Sequence, residues 1–317
     1  MKTILQNKLL IAQKSGQLQG HLTLNESLAQ YTTWRIGGLA ECCYRPKNDK
    51  DIQAVLESLP ENTAVNWVGL GSNLLVRDGG VQGLVIITNG TLNQLNFEHY
   101  DPLTKLFTIT AEAGVACAIF SRKSARHGIS GAEFLSGIPG TMGGALAMNA
   151  GAFGSEIWNY VTRVTMINIQ GCLIYRNADE FNIKYRQVSL KKASDQEWFL
   201  RAEFEFTRDA QSLQQSQLEI KNLLAKRAAT QPTKQANAGS VFKNPDNDYA
   251  ARLIEASGLK GKIMNGAQIS AKHANFIVNN GTAKAKDIEA LMSEIKEQVL
   301  LKHQVTLESE IRIIGEY

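Results

Sequence analysis

Residues Ser136–Gly154 read SGIPGTMGGALAMNAGAFG, with glycine, alanine and small polar side chains at a density that a helix or strand interior should not tolerate. Gly137, Gly140, Gly143, Gly144, Gly151 and Gly154 together exceed the one or two glycines that a tight turn uses. Glycine admits φ > 0 and removes the Cβ that keeps a ligand away, so the stretch predicts a loop whose amides converge on a planar or anionic group. A second glycine loop, Gly69-Leu70-Gly71-Ser72-Asn73, lies upstream. Two such loops predict one elongated cofactor held at both ends.

Around these loops the composition is that of an ordinary globular protein. The 317 residues, 44% of them hydrophobic, suffice for two or three subdomains with their own cores. The formal charge of +4 comes without a dense Lys/Arg block, which argues against nucleic acid and membrane surfaces and leaves room for phosphorylated small ligands. The apolar runs are too short for a bilayer span and the N-terminal residues are polar, so a cytoplasmic protein is expected. Cys42, Cys43, Cys117 and Cys172 lack metal spacing, and Cys42-Cys43 is an unpromising disulfide frame, so reduced thiols and no metal are expected.

Periodicity supplies the frame. Thr32–Gly38 reads as a turn entering a strand, 48–59 as a helix with Ile52, Val55, Leu56 and Leu59 on one face, and 65–70 and 81–88 as apolar strands flanking the upstream loop. That loop has no P-loop lysine, and no GxGxxG opens a helix, which disfavours a Walker ATPase or a Rossmann dehydrogenase. A strand over 106–113, a helix over 116–127 ending at Gly128, a hairpin over 161–175 and a strand over 198–206 follow. The segment from Phe181 to Arg186 has no strong period. A helix over 212–227 leads into helices over 248–257 and 287–303, short strands over 267–269 and 275–278, and a closing strand over 306–314. Its period of two places Glu308, Glu310 and Arg312 on one face, readable as a charged solvent edge or as a functional face.

Taken in order, TTWRIGG, GLGSNLLVRDGGVQGLVI, SGIPGTMGGALAMNAGAFG, KYRQVS, AGSVFKNP and LESEIRIIG resemble the UDP-N-acetylenolpyruvoylglucosamine reductases across 32–315. The lack of a long tyrosine-bearing insertion before the last domain resembles the shorter, second class of that family. The resemblance implies an α+β chain: an FAD-binding fold of the vanillyl-alcohol-oxidase/PCMH type with two α/β subdomains, 1–98 and 99–208, then an α+β substrate-binding domain, 209–317. It implies non-covalent FAD, NADPH as reductant, and reduction of UDP-N-acetylglucosamine enolpyruvate to UDP-N-acetylmuramate in peptidoglycan precursor synthesis. The expected partner is a small nucleotide sugar, and the expected state is a monomer.

By the same resemblance Gly69, Gly71, Ser72, Asn73 and Leu74 bind the FAD pyrophosphate. Gly137, Ile138, Pro139, Gly140, Thr141, Gly143, Gly144, Ala145, Asn149 and Gly151 run along the cofactor. Lys226 and Arg227 are expected as cations near a phosphate or the flavin, and Arg312, on the face of Glu310, as one that approaches the flavin. Ser240 matches the proton donor, able to serve because the enolate formed opposite the flavin is basic enough to take a hydroxyl proton. Arg186 brings a fork suited to a carboxylate that gains charge, and Glu310, if held protonated, donates a hydrogen bond to the enol. Tyr185, Lys243 and Asn244 are expected on the nucleotide sugar. One departure is visible: the family's Tyr-Arg-x-Ser is here Tyr185-Arg186-Gln187-Val188-Ser189, with the serine one place late. Two other readings stay open, an oxidase of the same fold with covalent flavin and a non-catalytic binding relative. Neither glycine loop carries a histidine for covalent attachment.

Overall fold

The computed structural model describes residues 2–192, 196–207 and 213–317; the start of the helix expected from Ser212 and the expected boundary at 208/209 lie outside the described residues. The chain forms two compact units, each assembled from separated segments. Unit 1 comprises Met1–Leu24, Cys42–Leu70 and Gly83–Ala225, and unit 2 comprises Asn25–Glu41, Gly71–Gln82 and Lys226–Tyr317. The upstream glycine loop is therefore divided, Gly69 and Leu70 ending a segment of unit 1 and Gly71 opening one of unit 2.

Unit 1 contains two hydrophobic clusters. In the first, Val65–Val68 pairs in parallel with Val81–Ile87, and the Asp49–Glu57 helix buries Ile52, Val55 and Leu56 as its spacing predicts. Asn48 starts that helix, its Oδ1 accepting the Asp51 amide at 3.0 Å. The second cluster underlies a five-stranded antiparallel sheet of order Leu173–Asn177, Val161–Asn168, Glu197–Thr207, Leu106–Glu112, Leu95–Asp101. The Cys117–Arg126 helix covers it with Phe120, whose ring meets Phe204 and Phe206. Gly128, at φ +69°, follows the end of this helix as expected.

Two expectations need correction here. The glycine-rich stretch is not a continuous loop, because Met142–Met148 is an α-helix that includes Gly143 and Gly144. The reason is close packing. Gly143 donates its amide to Ala113 O at 2.9 Å, and a Cβ there would stand 2.8 Å from the Cβ of Ala113. Propensity loses about 1 kcal/mol per glycine, and a helix seated on a strand end replaces it. Nor is 181–186 irregular: Phe181–Lys184 and Gln187–Leu190 form a hairpin in which Lys184 pairs with Gln187.

Unit 2 surrounds the Ala285–His303 helix, which buries Ile288, Leu291, Met292, Ile295 and Val299. A four-stranded sheet of order Ala236–Asn237, Ile277–Asn279, Ala267–Ile269, Ile263–Met264 and the Ala250–Ala256 helix complete it. Trp34, fully buried, donates its indole N–H to Ile277 O at 2.7 Å, and Asn279 Nδ2 donates to Trp34 O at 2.9 Å. The TTWRIGG motif is thus part of this core. Of the expected 306–314 strand only Arg312–Ile314 forms, parallel to Leu74–Val76. The preceding residues pair through a single bridge between Phe242 and Ser309, yet Leu307 and Ile311 are still the buried positions.

Candidate active site

The expected site residues fall into two sets. In unit 1, Tyr185 and Arg186 occupy the tip of the 181–190 hairpin, and Arg186 has φ +55°. Positive φ at the second residue of a two-residue turn is the position glycine or asparagine takes easily, so an arginine there is held by its surroundings. Its Nη1 donates to Asn149 O at 3.2 Å and its Nη2 to Gly151 O at 2.9 Å. The guanidinium carbon lies 4.9 Å from the centre of the Tyr185 ring. Asn149 ends the 142–148 helix in a left-handed conformation, and its fully buried side chain donates to Glu156 Oε2 at 2.7 Å and to Lys184 O at 3.2 Å. Asn149 therefore shapes the loop with its side chain already engaged.

Gly151 and Ala152 pair with Glu156 and Ser155 across a turn made by Phe153 (φ +55°) and Gly154 (φ +87°), the double positive φ of a type I′ hairpin. The Phe153 ring lies where a Cβ on Gly137 would be, 2.6 Å from it. Several loop amides are internally bonded: Ile138 to Leu135 O, Gly140 to Ile138 O, Gly143 to Ala113 O and Ala145 to Thr141 O. Two hydroxyls are not. Ser136 Oγ and Thr141 Oγ1 are buried without a hydrogen-bond partner among the described residues, and Thr141 Oγ1 blocks the space a side chain at Gly69 would need. Buried polar atoms left without partners cost roughly 1–3 kcal/mol each, and a ligand rich in acceptors relieves them. The glycines at 69 and 137 and these two hydroxyls fit an FAD held along this loop.

In unit 2, Ser240 follows Gly239, which has φ +77°. The next residue, Val241, accepts the Glu310 amide at 2.8 Å, and Lys243 donates its amide to Glu308 O at 2.9 Å. This ladder places the Ser240 and Glu310 segments side by side. Asn275 fixes it from the other flank: Val241 N donates to Asn275 O (2.9 Å), Phe242 N to Asn275 Oδ1 (3.0 Å), and Asn275 Nδ2 to Phe242 O (2.8 Å). The Ser72-Asn73 part of the upstream loop joins this set. Asn73 Nδ2 donates to Glu310 O at 3.1 Å, and Asn73 O accepts the Arg312 amide at 3.0 Å. Gly71 has φ +64°, and a Cβ there would strike Tyr31 O; its own carbonyl accepts Thr33 N.

The remaining cations and amides are placed as follows. Arg312 is exposed and pairs with Leu74. The Lys243 ammonium is 3.3 Å from Glu308, and Asn244 Oδ1 accepts the Ala250 amide at 3.1 Å, which anchors its side chain before the 250–256 helix. Arg227 donates Nε–H to Gln231 Oε1 at 3.1 Å, and burial pushes its pKa below the usual guanidinium value. Glu156 and Asn275 were not expected from the sequence. Neither sits in a spacing that signals a site, since each acts by reaching a backbone or amide partner far from simple periodic positions.

Residues 40–174 match the FAD binding domain, and residues 231–314 match the C-terminal domain of UDP-N-acetylenolpyruvoylglucosamine reductase. Fold and site together define an FAD-binding oxidoreductase with an added C-terminal α+β domain. Two bacterial proteins named UDP-N-acetylenolpyruvoylglucosamine reductase are close relatives. That of Alkalilimnicola ehrlichii is 48% identical over 94% of this chain and 96% of its own, and that of Methylococcus capsulatus is 47% identical over 96% and 97%. The crystal structure of the Thermus caldophilus enzyme superposes with a TM-score of 0.76 at 28% identity, covering 94% of this chain and all of that one. The chain belongs to the UDP-N-acetylenolpyruvoylglucosamine reductase family. The expectations of an FAD-binding fold and of a flavin-dependent reductase are thereby borne out.

Among the described residues no helix is long and apolar enough to cross a membrane.

Proposed function

We propose that the protein reduces UDP-N-acetylglucosamine enolpyruvate to UDP-N-acetylmuramate in the cytoplasm, with NADPH as reductant, as a step in making peptidoglycan precursors. The observation that carries this reading is the conjunction of near full-length kinship with a ladder that sets a serine hydroxyl segment beside a carboxylic acid segment, Ser240 beside Glu310. Residues 1–98 and 99–208 serve as flavin subdomains and 209–317 as the substrate domain. The protein is taken to act as a monomer.

FAD, bound without a covalent link, would supply the two-electron redox chemistry, with NADPH as the source of reducing equivalents. Residues of the glycine loops, 69–74 and 137–151, hold it, with Ser136 and Thr141 offering hydroxyls and Arg227 and Arg312 offering charge. The chain's own work is on the substrate. As the enolpyruvyl double bond accepts hydride at its methylene carbon, negative charge develops on the adjacent carbon and the carboxylate. Arg186 stabilises that carboxylate, and protonated Glu310 donates to its oxygen. Ser240 then transfers its hydroxyl proton to the adjacent carbon, completing addition of hydride and proton across the double bond. Tyr185, Lys243 and Asn244 bind the nucleotide sugar.

The test is spectroscopic. Purified protein is expected to show a flavin band that bleaches under anaerobic NADPH and returns on adding UDP-N-acetylglucosamine enolpyruvate. A band indifferent to that substrate would send the function to another flavin oxidoreductase or to a non-catalytic binding protein.

A further inference from the structure

We propose that Glu156 is a positioning residue for Arg186, acting through Asn149 to hold the two carbonyls on which the guanidinium rests. The proposal rests on the reading of Arg186 as the partner of the substrate carboxylate. Glu156, Asn149, Gly151, Lys184 and Arg186 all lie within unit 1.

Arg186 stands on a strained turn and is aimed by its bonds to Asn149 O and Gly151 O. Those two carbonyls point the right way only while the chain at 149–151 keeps its path, and that path starts from a left-handed asparagine, φ +43° and ψ +56°. A non-glycine residue is costly there unless its side chain is bonded in place. Asn149 has one side-chain amide nitrogen with two hydrogens, and the structure uses it twice. One bond goes to Lys184 O, which ties the helix end to the strand that leads into Arg186; the other goes to the Glu156 carboxylate at 2.7 Å. The second bond is charge-assisted and so the stronger of the pair.

Glu156 is set for this task by register. It pairs directly with Gly151, and a Cβ on Gly151 would come within 2.9 Å of Glu156 Cγ. Glycine at 151 thus leaves room for the glutamate side chain beside the strand, on its way to Asn149. Without the carboxylate, a fully buried amide hydrogen loses its acceptor, and the backbone on which Arg186 leans loses its tether.

A residue that merely stabilised the fold would affect every ligand alike. Glu156 is expected to affect only ligands that carry the carboxylate. The experiment uses FAD-loaded protein and calorimetric titration with UDP-N-acetylmuramate, which has the carboxylate, and UDP-N-acetylglucosamine, which lacks it. Glu156→Ala is expected to weaken the first by about 10-fold, the loss of roughly one hydrogen bond to a charged group, and the second by less than about 2-fold. Glu156→Gln, whose amide oxygen still accepts from Asn149, is expected within about 3-fold of the parent for both. In an Arg186→Ala background, Glu156→Ala is expected to add nothing, since its route to the ligand is gone.

Equal weakening of both ligands, or a further loss in the Arg186→Ala background, would overturn the proposal in favour of a role in the fold, and so would unchanged affinities in Glu156→Ala. If Arg186→Ala alone left UDP-N-acetylmuramate affinity intact, the reading of Arg186 itself would be the one at fault.

Discussion

The Arg186 end of unit 1 and the Ser240 end of unit 2 hold their functional side chains by different means. Around Arg186 the ties run from side chains: guanidinium to two carbonyls, asparagine amide to a carboxylate and a carbonyl, on a backbone with left-handed residues at 149, 153 and 186. Around Ser240 the ties are chiefly backbone ladders, Glu310 N to Val241 O and Lys243 N to Glu308 O, closed by the buried side chain of Asn275. On the roles proposed above, an arginine that follows a carboxylate through a change of charge would gain from a mount built of adjustable side-chain bonds. A proton donor, which needs one fixed position, would gain from a ladder.

The largest effect is expected at the ladder's functional residue. Ser240→Ala should slow flavin reoxidation by the enolpyruvyl substrate by on the order of 10²–10⁴-fold, while flavin reduction by NADPH in stopped flow stays unchanged. If both half-reactions fell together, Ser240 would not be the proton donor, and the contrast between a fixed donor and an adjustable clamp would lose one side.

Next is the ladder's support. Asn275→Ala should cost about 2–4 kcal/mol in urea unfolding, because it strips partners from both the N–H and the C=O of Phe242, which is buried. The clamp should respond differently. At Asn149, the Gly variant keeps the left-handed backbone and the Ala variant strains it, so Ala should be less stable than Gly by about 1 kcal/mol. Both lose the same side-chain bonds. They should therefore weaken UDP-N-acetylmuramate binding to a similar extent, and a Gly variant that bound like the parent would show that backbone path alone aims Arg186.

How far these differences could be read in advance depended on what each segment encodes locally. Helices with a full apolar stripe, such as Asp49–Glu57 and Ala285–His303, were plain from spacing, and local chemistry marks some helix ends, Asn48 before the first of these and Gly128 after Cys117–Arg126. The glycine-rich stretch signalled close approach, and part of that approach is to the chain itself. Gly143 is approached by Ala113 of its own unit, which turned an expected loop into a helix. The strand expected over 306–314 had the right alternation at Leu307 and Ile311 but only three residues with a continuous neighbour. Alternation reports which side is buried, and a partner strand decides whether a ladder forms. Of the proposed site, Arg186, Ser240 and Glu310 come from the resemblance alone, whereas Glu156 and Asn275 bond to other residues of the chain and leave no periodic trace.

The smallest effect belongs to the cofactor loop, where the two units again differ. In unit 2 Thr33 and Asn73 are engaged with neighbouring carbonyls, but in unit 1 Thr141 Oγ1 is buried without a partner among the described residues. Thr141→Val keeps the shape and removes only that oxygen. For the FAD-free protein the change removes a desolvated hydroxyl with no partner among the described residues, so stability should rise by about 1 kcal/mol, the low end of the cost of leaving such a group unpaired. With FAD the hydroxyl has an acceptor to reach, so the variant should bind FAD about 5-fold more weakly in a fluorescence-quenching titration, the loss of one ordinary hydrogen bond. A variant that bound FAD as tightly as the parent would mean that the orphaned hydroxyl does not face the cofactor, and that unit 1 fits FAD through the space its glycines leave.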